Sequence, residues 1–329
     1  MKRALVTGAS GLLGSHMVEV LLDAEVEVRA LVRHTSDTRQ LEMSDAEIIY
    51  GDASHKEAIR QAVRGVDWIF HLAGYLTAYS PFIVNDESIQ YQAVNVDFSE
   101  TLLDAASDAN IMRFIYASSS SVYDIDSPVP TTENAPLRPI SHYGHSKLEA
   151  EKRVRTYQAR GLPTTIIRSP IVYGPGDRHF SPMAMRLAKL PVLPLVEGGR
   201  NLIDLVYVRD VTELMLQASR AEAAIGKVYN AGPARPTSIR ELVDAFRRLT
   251  GHAPRIIPVP LATLSLVASL AKRFVARFAP SSMAILSPTG LAILSRDSRL
   301  DISRARNELN YNPRFSLKQG LASTLPFYK

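Results

Sequence analysis

The chain has 329 residues, of which 46% are hydrophobic and 22% charged, which is enough for a large core and too apolar for a disordered chain. The net charge of +5 is spread along the sequence without a Lys/Arg run or an aromatic and basic stripe, so we expect no nucleic-acid partner. Cysteine is absent and the eight histidines show no ligand spacing, which excludes disulfides and thiolate chemistry and makes a metal site unexpected.

The N-terminus combines a short strand, a glycine-rich turn and a helix. Residues 3–7 form an apolar strand that leads into Gly8, Gly11 and Gly14, and an amphipathic helix follows at 15–22. Glycines at this spacing allow a tight turn and a close approach of the backbone to a pyrophosphate at the helix N-terminus. Because the glycines interrupt the apolar residues, nothing here resembles a signal peptide, and we expect a cytoplasmic protein.

The end of the second predicted strand, 26–32, bears on the choice of dinucleotide. Dehydrogenases selective for NAD usually have an acidic residue there, which bonds the ribose 2′-hydroxyl. Those that bind NADP usually have an arginine, which pairs with the 2′-phosphate. This chain has Val32 in the position of the acid, followed by Arg33. We therefore expect NADP, or failing that NAD, with Arg33 as the phosphate contact; the alternative for Arg33 is an ordinary exposed charge.

Apolar runs alternate with helix-like segments along the first half of the chain. The fold class expected is α/β, a Rossmann doubly wound parallel sheet with a smaller C-terminal substrate-binding lobe. We place the dinucleotide-binding domain at 1–176, with 204–232 returning to it, and the substrate lobe mainly at 177–329, because prolines interrupt the pattern there. The runs predicted as strands are 4–6, 26–32, 47–50, 66–72, 111–117 and 164–168.

A tyrosine and a lysine four residues apart form the strongest candidate for catalysis. On a helix, Tyr143 and Lys147 share one face. A fixed ammonium favours the phenolate, and so moves the pKa of a tyrosine from about 10 toward neutrality. A hydroxyl from the run 118–121 can hold the same substrate oxygen. The alternative is a chance spacing beside an ordinary serine turn.

Together these segments resemble the extended short-chain dehydrogenase/reductase superfamily. The resemblance implies that Tyr143 is the general acid/base, that Lys147 lowers its pKa and binds the nicotinamide ribose, and that Ser119 orients the reacting oxygen. It also implies a homodimer formed through helices near 95–108 and 143–159. The motifs that carry the resemblance are Thr7-Gly8-Ala9-Ser10-Gly11-Leu12-Leu13-Gly14, His71-Leu72-Ala73-Gly74, Ser119, Tyr143-x-x-x-Lys147, Arg168 to Asp177, Val206 to Val211 and Asp301 to Ala305.

The same resemblance implies the residues that line the dinucleotide. Asp52 resembles the residue that meets the adenine amino group, or it caps the helix that follows. Asn95 resembles the asparagine that supports the active site, or it is a buried amide. The full set expected at the cofactor is Gly8, Gly11, Leu12, Leu13, Gly14, Arg33, Asp52, Ala53, Leu72, Ala73, Gly74, Asn95, Ser118, Tyr143, Lys147, Pro170 and Val172.

Three departures from the sugar-nucleotide enzymes favour an apolar substrate. Ser120 and Ser121 stand where dehydratases carry an Asp-Glu pair, and Ile203 stands where epimerases often carry an arginine that grips the diphosphate. Residues 260–279 have apolar groups at helical spacing, which resembles the sterol-dehydrogenase and dihydroflavonol-reductase branch. That helix packs on its own domain, covers an apolar substrate or associates with a membrane.

The expected function is therefore hydride transfer between a nicotinamide and a secondary alcohol or ketone of a largely apolar small molecule, as in 3β-hydroxysteroid dehydrogenases. One alternative is a nucleotide-sugar 4-epimerase, in which oxidation and re-reduction occur on one bound cofactor. The other is a protein that senses NADP(H) without chemistry, although such proteins commonly lose the tyrosine or the lysine.

Overall fold

The structure is a computed structural model that describes residues 2–52, 55–76, 88–263 and 295–328. Two sequence-based expectations fall outside these ranges: the cofactor contact of Ala53, and the predicted apolar helix from residue 264 onward. In the described ranges, no helix is long and apolar enough to cross a membrane.

A parallel sheet of seven strands forms the centre of the molecule, in the order β11-β6-β5-β4-β1-β2-β3. This order, with β1 between β2 and β4, is that of a doubly wound Rossmann sheet. The predicted fold class is confirmed, and the six predicted strands match β1 to β6 within a few residues. The seven strands are β1 (Arg3–Thr7), β2 (Glu27–Val32), β3 (Glu47–Tyr50), β4 (Trp68–His71), β5 (Arg113–Ser119), β6 (Thr164–Ser169) and β11 (Val228–Asn230).

Helices cover both faces of this sheet, as expected for parallel strands that are buried on both sides. In chain order they are α1 (Leu12–Asp23), α2 (Arg39–Glu42), α3 (Lys56–Val63), α4 (Ser88–Tyr91), a π-helical turn (Gln92–Asp97), α5 (Phe98–Asp108), α6 (His142–Ala159), α7 (Phe180–Ala188), α8 (Val208–Arg220), α9 (Ile239–Thr250), α10 (Ser303–Leu309) and α11 (Leu317–Thr324). Short 3-10 turns lie at Ser120–Val122, Glu222–Ala224 and Leu325–Tyr328.

Alternate residues of the strands pack into two separate hydrophobic cores, one on each face of the sheet. Ala4 and Val6 of β1 pack with α1 and α8 on one face, whereas Leu5 packs with α3, α5 and α6 on the other. This alternation follows from the two-residue repeat of a strand. The two cores fix α1 and α6 against the sheet, and these helices carry the glycine turn and the tyrosine-lysine pair.

The C-terminal half adds three two-stranded sheets and a third core. The strands are β7 (Ile171–Tyr173), β8 (Val192–Val196), β9 (Leu202–Ile203), β10 (Leu205–Tyr207), β12 (Thr237–Ser238) and β13 (Arg255–Val259), which pair as β7 with β10, β8 with β13 and β9 with β12. Within 204–232, β11 lies at the edge of the main sheet and β10 lies outside it. The boundary near residue 177 stays a prediction.

Candidate active site

The glycine turn after β1 is packed so closely that side chains would not fit. Gly8 has φ +69°, and a Cβ atom there would lie 2.7 Å from backbone atoms of Ala73 at the end of β4. At Gly14 a Cβ atom would lie 2.0 Å from the Gly8 carbonyl oxygen. Gly11, the N-cap of α1, offers no side chain to the first-turn N–H groups. The turn thus fits the pyrophosphate of a dinucleotide, because backbone donors at a helix N-terminus remain accessible.

The end of β2 carries an exposed cation beside a stacked ring pair. Arg33 is exposed, and its backbone N–H bonds the Ser36 hydroxyl at 3.2 Å. The ring of His34 stacks on Tyr50 of β3, with centroids 5.0 Å apart. Asp52, which follows β3, is within 2.9 Å of His55 Nδ1. The structure thus brings Arg33 and Asp52 to the carboxyl ends of neighbouring strands, where ligands of such sheets bind.

A directed chain of hydrogen bonds runs behind this end of the sheet. Ser99 donates to the Asn95 carbonyl at 2.7 Å, so its oxygen accepts from His71 Nε2 at 2.8 Å. His71 Nδ1 then accepts from the Thr7 hydroxyl at 2.7 Å, and Thr7 accepts from the Ala73 amide. Burial, aided by the charge of Lys147, lowers the pKa of His71 to about 3, so this ring is neutral. The chain joins the glycine turn to the segment around Asn95.

Asn95 lies on the π-helical turn and is buried. Its amide oxygen accepts from the Tyr75 N–H at 2.6 Å, and its amide nitrogen donates to the Tyr75 carbonyl and to the Ser146 hydroxyl, at 3.1 and 2.8 Å. A Cβ atom on Gly74 would lie 3.5 Å from the Asn95 oxygen and 3.7 Å from Lys147 Nζ. Asn95 therefore connects the strand end at Gly74 to the helix that carries the tyrosine and the lysine.

The two serines at the end of β5 have different partners. Ser119 Oγ accepts from the Ser121 N–H and contacts the Ser121 hydroxyl, both at 3.1 Å. Ser118 Oγ donates to Glu151 at 2.6 Å and is 3% exposed, so its hydroxyl already has a protein acceptor. The Ser118 hydroxyl therefore could not donate to a cofactor without giving up its bond to Glu151. Ser120 begins the 3-10 turn that leads away from the strand.

Helix α6 brings Tyr143 and Lys147 to the carboxyl end of the sheet. It begins at a Ser141 cap, whose hydroxyl accepts from the Gly144 N–H at 3.0 Å. A Cβ atom on Gly144 would lie 2.4 Å from the Ser121 carbonyl oxygen, so this glycine lets the helix touch the serine turn. The spacing in the sequence did not reveal that role of Gly144.

The Lys147 ammonium is held by β5. It donates to the Ala117 carbonyl at 2.6 Å and lies 4.7 Å from the centre of the Tyr116 ring. Burial lowers the pKa of Lys147 to about 8, and the carboxylate of Glu151 opposes that shift. The ring of Tyr143 lies 6.3 Å from that of Tyr91, which in turn lies 5.2 Å from Tyr75. The tyrosine thus has aromatic surroundings, whereas the lysine lies over the strand end.

The strand β7 follows the sheet end at β6. Pro170 and Val172 are half-buried, and Ser169 Oγ lies 3.5 Å from the Ser118 carbonyl. Ile203 on β9 is buried in the third core. The functional roles of these residues, and of the other predicted site residues, stay predictions.

Sequence reasoning did not anticipate a role for Glu151, which lies one turn after Lys147. It is fully buried and forms a two-point ion pair with Arg168, with distances of 2.9 and 2.6 Å. The sequence did contain a signal for it: Tyr143, Lys147 and Glu151 follow one another at intervals of four residues, so they share one face of a helix.

Fold and site together define a nicotinamide-dinucleotide enzyme of the short-chain dehydrogenase/reductase type, with a glycine turn at the first strand and a tyrosine-lysine helix. The model of the NAD dependent epimerase/dehydratase family matches residues 4–232, which is more than half of the chain. The chain belongs to this family and is an NAD(P)-dependent enzyme of the extended short-chain dehydrogenase/reductase superfamily.

Similar proteins include both reductases and sugar-nucleotide enzymes. The chain is 28% identical over 322 residues to a 4-hydroxy-2-methyl-3-oxo-4-farnesyl-3,4-dihydroquinoline-1-oxide ketoreductase of Stigmatella aurantiaca, covering 97% of this chain and 94% of that protein. It is 28% identical to sterol demethylase protein B of Methylococcus capsulatus, covering 94% and 93%. The structure of MoeE5 in complex with UDP-glucuronic acid and NAD superposes with a TM-score of 0.76 and 26% identity, covering 99% and 98%.

Proposed function

We propose that the protein is a ketoreductase or secondary-alcohol dehydrogenase that acts on a largely apolar small molecule. The observation that carries this proposal is the setting of Tyr143. Its ring lies beside Tyr91 and one helical turn before the buried Lys147 ammonium. An aromatic surface next to a proton donor suits a carbonyl on an apolar skeleton. The similarity to a ketoreductase of a farnesylated quinoline supports the same substrate class.

In the reduction, Tyr143 gives its phenolic proton to the carbonyl oxygen as the carbon accepts a hydride. The bound nicotinamide supplies that hydride. Ser119 donates a hydrogen bond to the same oxygen, and the Lys147 ammonium stabilises the phenolate that Tyr143 becomes. Oxidation of the alcohol runs through the same steps in reverse, with Tyr143 as the base.

The buried Ile203 supports an apolar substrate over a sugar nucleotide. An isoleucine side chain cannot bond a diphosphate, and here it packs in the third core. Ser120 and Ser121, in place of an acid and a base, argue against loss of water from a sugar. The substrate is therefore proposed to lack the diphosphate that sugar-nucleotide enzymes hold.

A nucleotide-sugar 4-epimerase is the second candidate, because MoeE5 was solved with UDP-glucuronic acid and NAD. An epimerase re-reduces its own intermediate, so it keeps its dinucleotide through purification and shows no net change in nicotinamide absorbance. Release of free dinucleotide and stoichiometric turnover would exclude this candidate for the present chain.

The proposed cofactor is NADP, held at its 2′-phosphate by Arg33. The guanidinium of Arg33 is exposed at the end of β2 and can pair with a phosphate, and Val32 rather than an acidic residue precedes it. Arg33→Ser should weaken NADPH binding at least about tenfold and leave NADH binding nearly unchanged. The matched control is Arg39→Ser, since Arg39 is also exposed but pairs with Asp37. Equal losses for both dinucleotides, or tighter binding of NADH by the unaltered protein, would contradict NADP.

The test of the whole proposal follows reduced-nicotinamide absorbance with prenylated ketones, steroids and UDP-sugars, using NADH and NADPH separately. Tyr143→Phe should lower turnover on an apolar ketone by about 10² to 10⁴ and leave dinucleotide affinity intact. Tyr157→Phe, on the same helix, is the control and should stay close to the unaltered rate. Turnover only with UDP-sugars would overturn the proposed substrate class. Dinucleotide binding without turnover on any substrate would favour a sensor of NADP(H).

A homodimer through the helices near 95–108 and 143–159 is part of the proposal. In the structure these regions are α5 with the preceding π-helical turn, and α6. Light scattering coupled to size-exclusion chromatography should give twice the chain mass of 36.3 kDa. A single-chain mass at micromolar concentration would refute it.

A further inference from the structure

Glu151 is the meeting point of three segments that carry predicted site residues. Its carboxylate accepts from the Ser118 hydroxyl at 2.6 Å, and that serine immediately precedes Ser119. The same carboxylate accepts from Arg168 Nε and Nη2, and Arg168 lies two residues before Pro170. Through these bonds one buried side chain of α6 fixes the ends of β5 and β6.

The arginine of this pair is the largest fully buried side chain in the described part of the chain. Besides Glu151, it bonds the Glu133 carbonyl at 3.2 Å, and its guanidinium lies 4.8 Å from the centre of the Tyr123 ring. Although burial opposes charge, the Glu151 carboxylate raises the pKa of Arg168, so the guanidinium stays charged. The ion pair is therefore geometrically well satisfied.

A buried ion pair of this kind is a weak source of stability. Removing two charges from water costs about as much as their attraction returns, and apolar residues of similar size often stabilise a fold as well. What such a pair supplies instead is a fixed geometry, because two parallel hydrogen bonds tolerate only one mutual orientation. Here that orientation relates the helix of Tyr143 and Lys147 to the strand ends at Ser119 and Pro170.

We propose that Glu151, through Ser118 and Arg168, is a positioning residue that keeps Lys147 and Tyr143 aligned with Ser119. This inference rests on the proposed function of Tyr143, Lys147 and Ser119, and it adds a requirement for the side chain one turn further along α6. Glu151 touches neither substrate nor cofactor in this account; it acts through the residues that do.

Glu151 also acts on Lys147 by its charge. The titratable groups that the structure places near the ammonium are Tyr116 on β5, the neutral His71 on β4, and Glu151 on α6 itself. Of these three, Glu151 is the one that carries a negative charge at neutral pH. Its loss would lower the pKa of both the ammonium and a nearby phenol, because each is more easily deprotonated without a neighbouring anion.

The test is Glu151→Gln, which keeps the shape and removes the charge. We expect kcat for the reduction to fall at least about tenfold. In the pH profile of kcat, the fall on the alkaline side, or alkaline limb, should move by about one pH unit toward lower pH. The matched control is Tyr157→Phe, also on α6, which removes the bond from the Tyr157 hydroxyl to Asp104 on α5. This control should leave the alkaline limb in place even where thermal stability falls. If Glu151→Gln melts earlier but keeps the wild-type limb and kcat, Glu151 is only structural and the inference is wrong.

Two further measurements keep the inference testable if Glu151→Gln does not fold or if no substrate is found. Ser118→Ala removes one bond and leaves the ion pair, so it should fold and lower kcat by roughly threefold or more at unchanged KM for the dinucleotide. The pKa of Lys147 can be followed without turnover by NMR of lysine labelled at the ε position, with Lys147→Arg to assign the signal. A pKa that is the same with and without the Glu151 charge would overturn the inference, whereas a shifted pKa in an inactive protein would discredit only the proposed reaction.

Discussion

The Lys147 ammonium illustrates how burial and a nearby carboxylate set one residue for proton chemistry. Burial against β5 lowers its pKa to about 8, and Glu151 limits the fall. With that pKa, Lys147 is protonated in about nine-tenths of the molecules at pH 7. A charged ammonium is the form that would stabilise the Tyr143 phenolate in the proposed reaction, and it predominates at neutral pH.

The rate of the reduction should depend on the protonation state of Lys147. The charged form of Lys147 exists below its pKa, so kcat should be steady near pH 7 and fall as the pH rises through about 8. Because Tyr143 and Lys147 interact, the apparent pKa belongs to the pair. The profile is measured from pH 6 to 10 with saturating reduced dinucleotide. A rate that stays constant to pH 10 would contradict the role given to Lys147.

A second residue-scale prediction compares two glycines of the dinucleotide turn. Gly14→Ala places a Cβ atom 2.0 Å from the Gly8 carbonyl oxygen, whereas Gly11→Ala places it at 3.2 Å. Overpacking costs about 1 to 3 kcal/mol, and a backbone neighbour cannot rotate away. Gly14→Ala should therefore lower both the melting temperature and dinucleotide binding far more than Gly11→Ala, as followed by calorimetry and fluorescence titration. Equal effects would show that the packing of this turn does not limit binding.

At the scale of elements, the π-helical turn Gln92–Asp97 directs the Asn95 side chain toward two partner residues, with which it makes three hydrogen bonds. A π-turn inserts one extra residue into a helix, and such turns are frequent at functional sites. Here the turn lies directly before α5 and brings the Asn95 amide to the Tyr75 backbone and to Ser146 on α6. The element thereby joins the end of β4 to the tyrosine-lysine helix.

Truncation of Asn95 should reveal this link. Asn95→Ala removes the hydrogen bonds to the half-buried Tyr75 backbone and to the buried Ser146 hydroxyl, so the free energy of unfolding should fall by about 1 to 3 kcal/mol. The rate should fall as well, because α6 is less firmly held. Thr101→Ala is the control, since the Thr101 hydroxyl makes a local bond to the backbone carbonyl of Asp97, four residues earlier, and does not link β4 to α6. Urea unfolding and steady-state kinetics give the two values; similar losses for both variants would argue against a special role.

At the scale of the whole molecule, two buried carboxylates tie the C-terminal segment to the body of the protein. Asp204 accepts from the Leu300 N–H at 2.6 Å, and Asp210 accepts from the Arg314 N–H at 2.8 Å. Burial raises the pKa of each to about 6, against the effect of those hydrogen bonds. These contacts span about a hundred residues of sequence and keep the late segment against β9, β10 and α8.

The raised pKa of Asp204 has a consequence for stability. A carboxyl whose pKa is higher in the folded than in the unfolded state contributes stability that is full below about pH 4 and is lost as the pH rises through about 6. Asp204→Asn, which stays neutral, should therefore gain stability relative to the wild type between pH 4 and 7, on the order of 2 kcal/mol.

The control variant should show a change in stability with pH of the opposite sign. Although burial opposes it, the Arg3 N–H and Lys2 lower the pKa of Asp67. Asp67→Asn should therefore lose stability relative to the wild type as the pH rises from acid to neutral. Denaturant unfolding at several pH values checks both variants. A difference that does not depend on pH for Asp204→Asn would refute the assigned shift.

Much of the fold could be predicted because its signals are local. The strands β1 to β6 follow from apolar runs of three to seven residues, and α6 from a helical segment that the structure places at His142–Ala159. The glycine turn and the Tyr143 to Lys147 spacing are likewise contained within a few residues each. The prediction of a parallel, doubly wound sheet followed from the alternation of strands and helices and from the family resemblance, whereas the order of the strands was given by the structure.

The sequence by itself determined the fold class, the family and the pair at the head of α6, since each is written in neighbouring residues. Only the tertiary structure decided that Ser118 points to Glu151, that Glu151 meets Arg168, and that Asn95 joins β4 to α6. The reason is physical: a periodic pattern specifies which face of an element is buried, but the partner of a buried polar group lies on another element. Which donor meets which acceptor is settled when the strands and helices pack together.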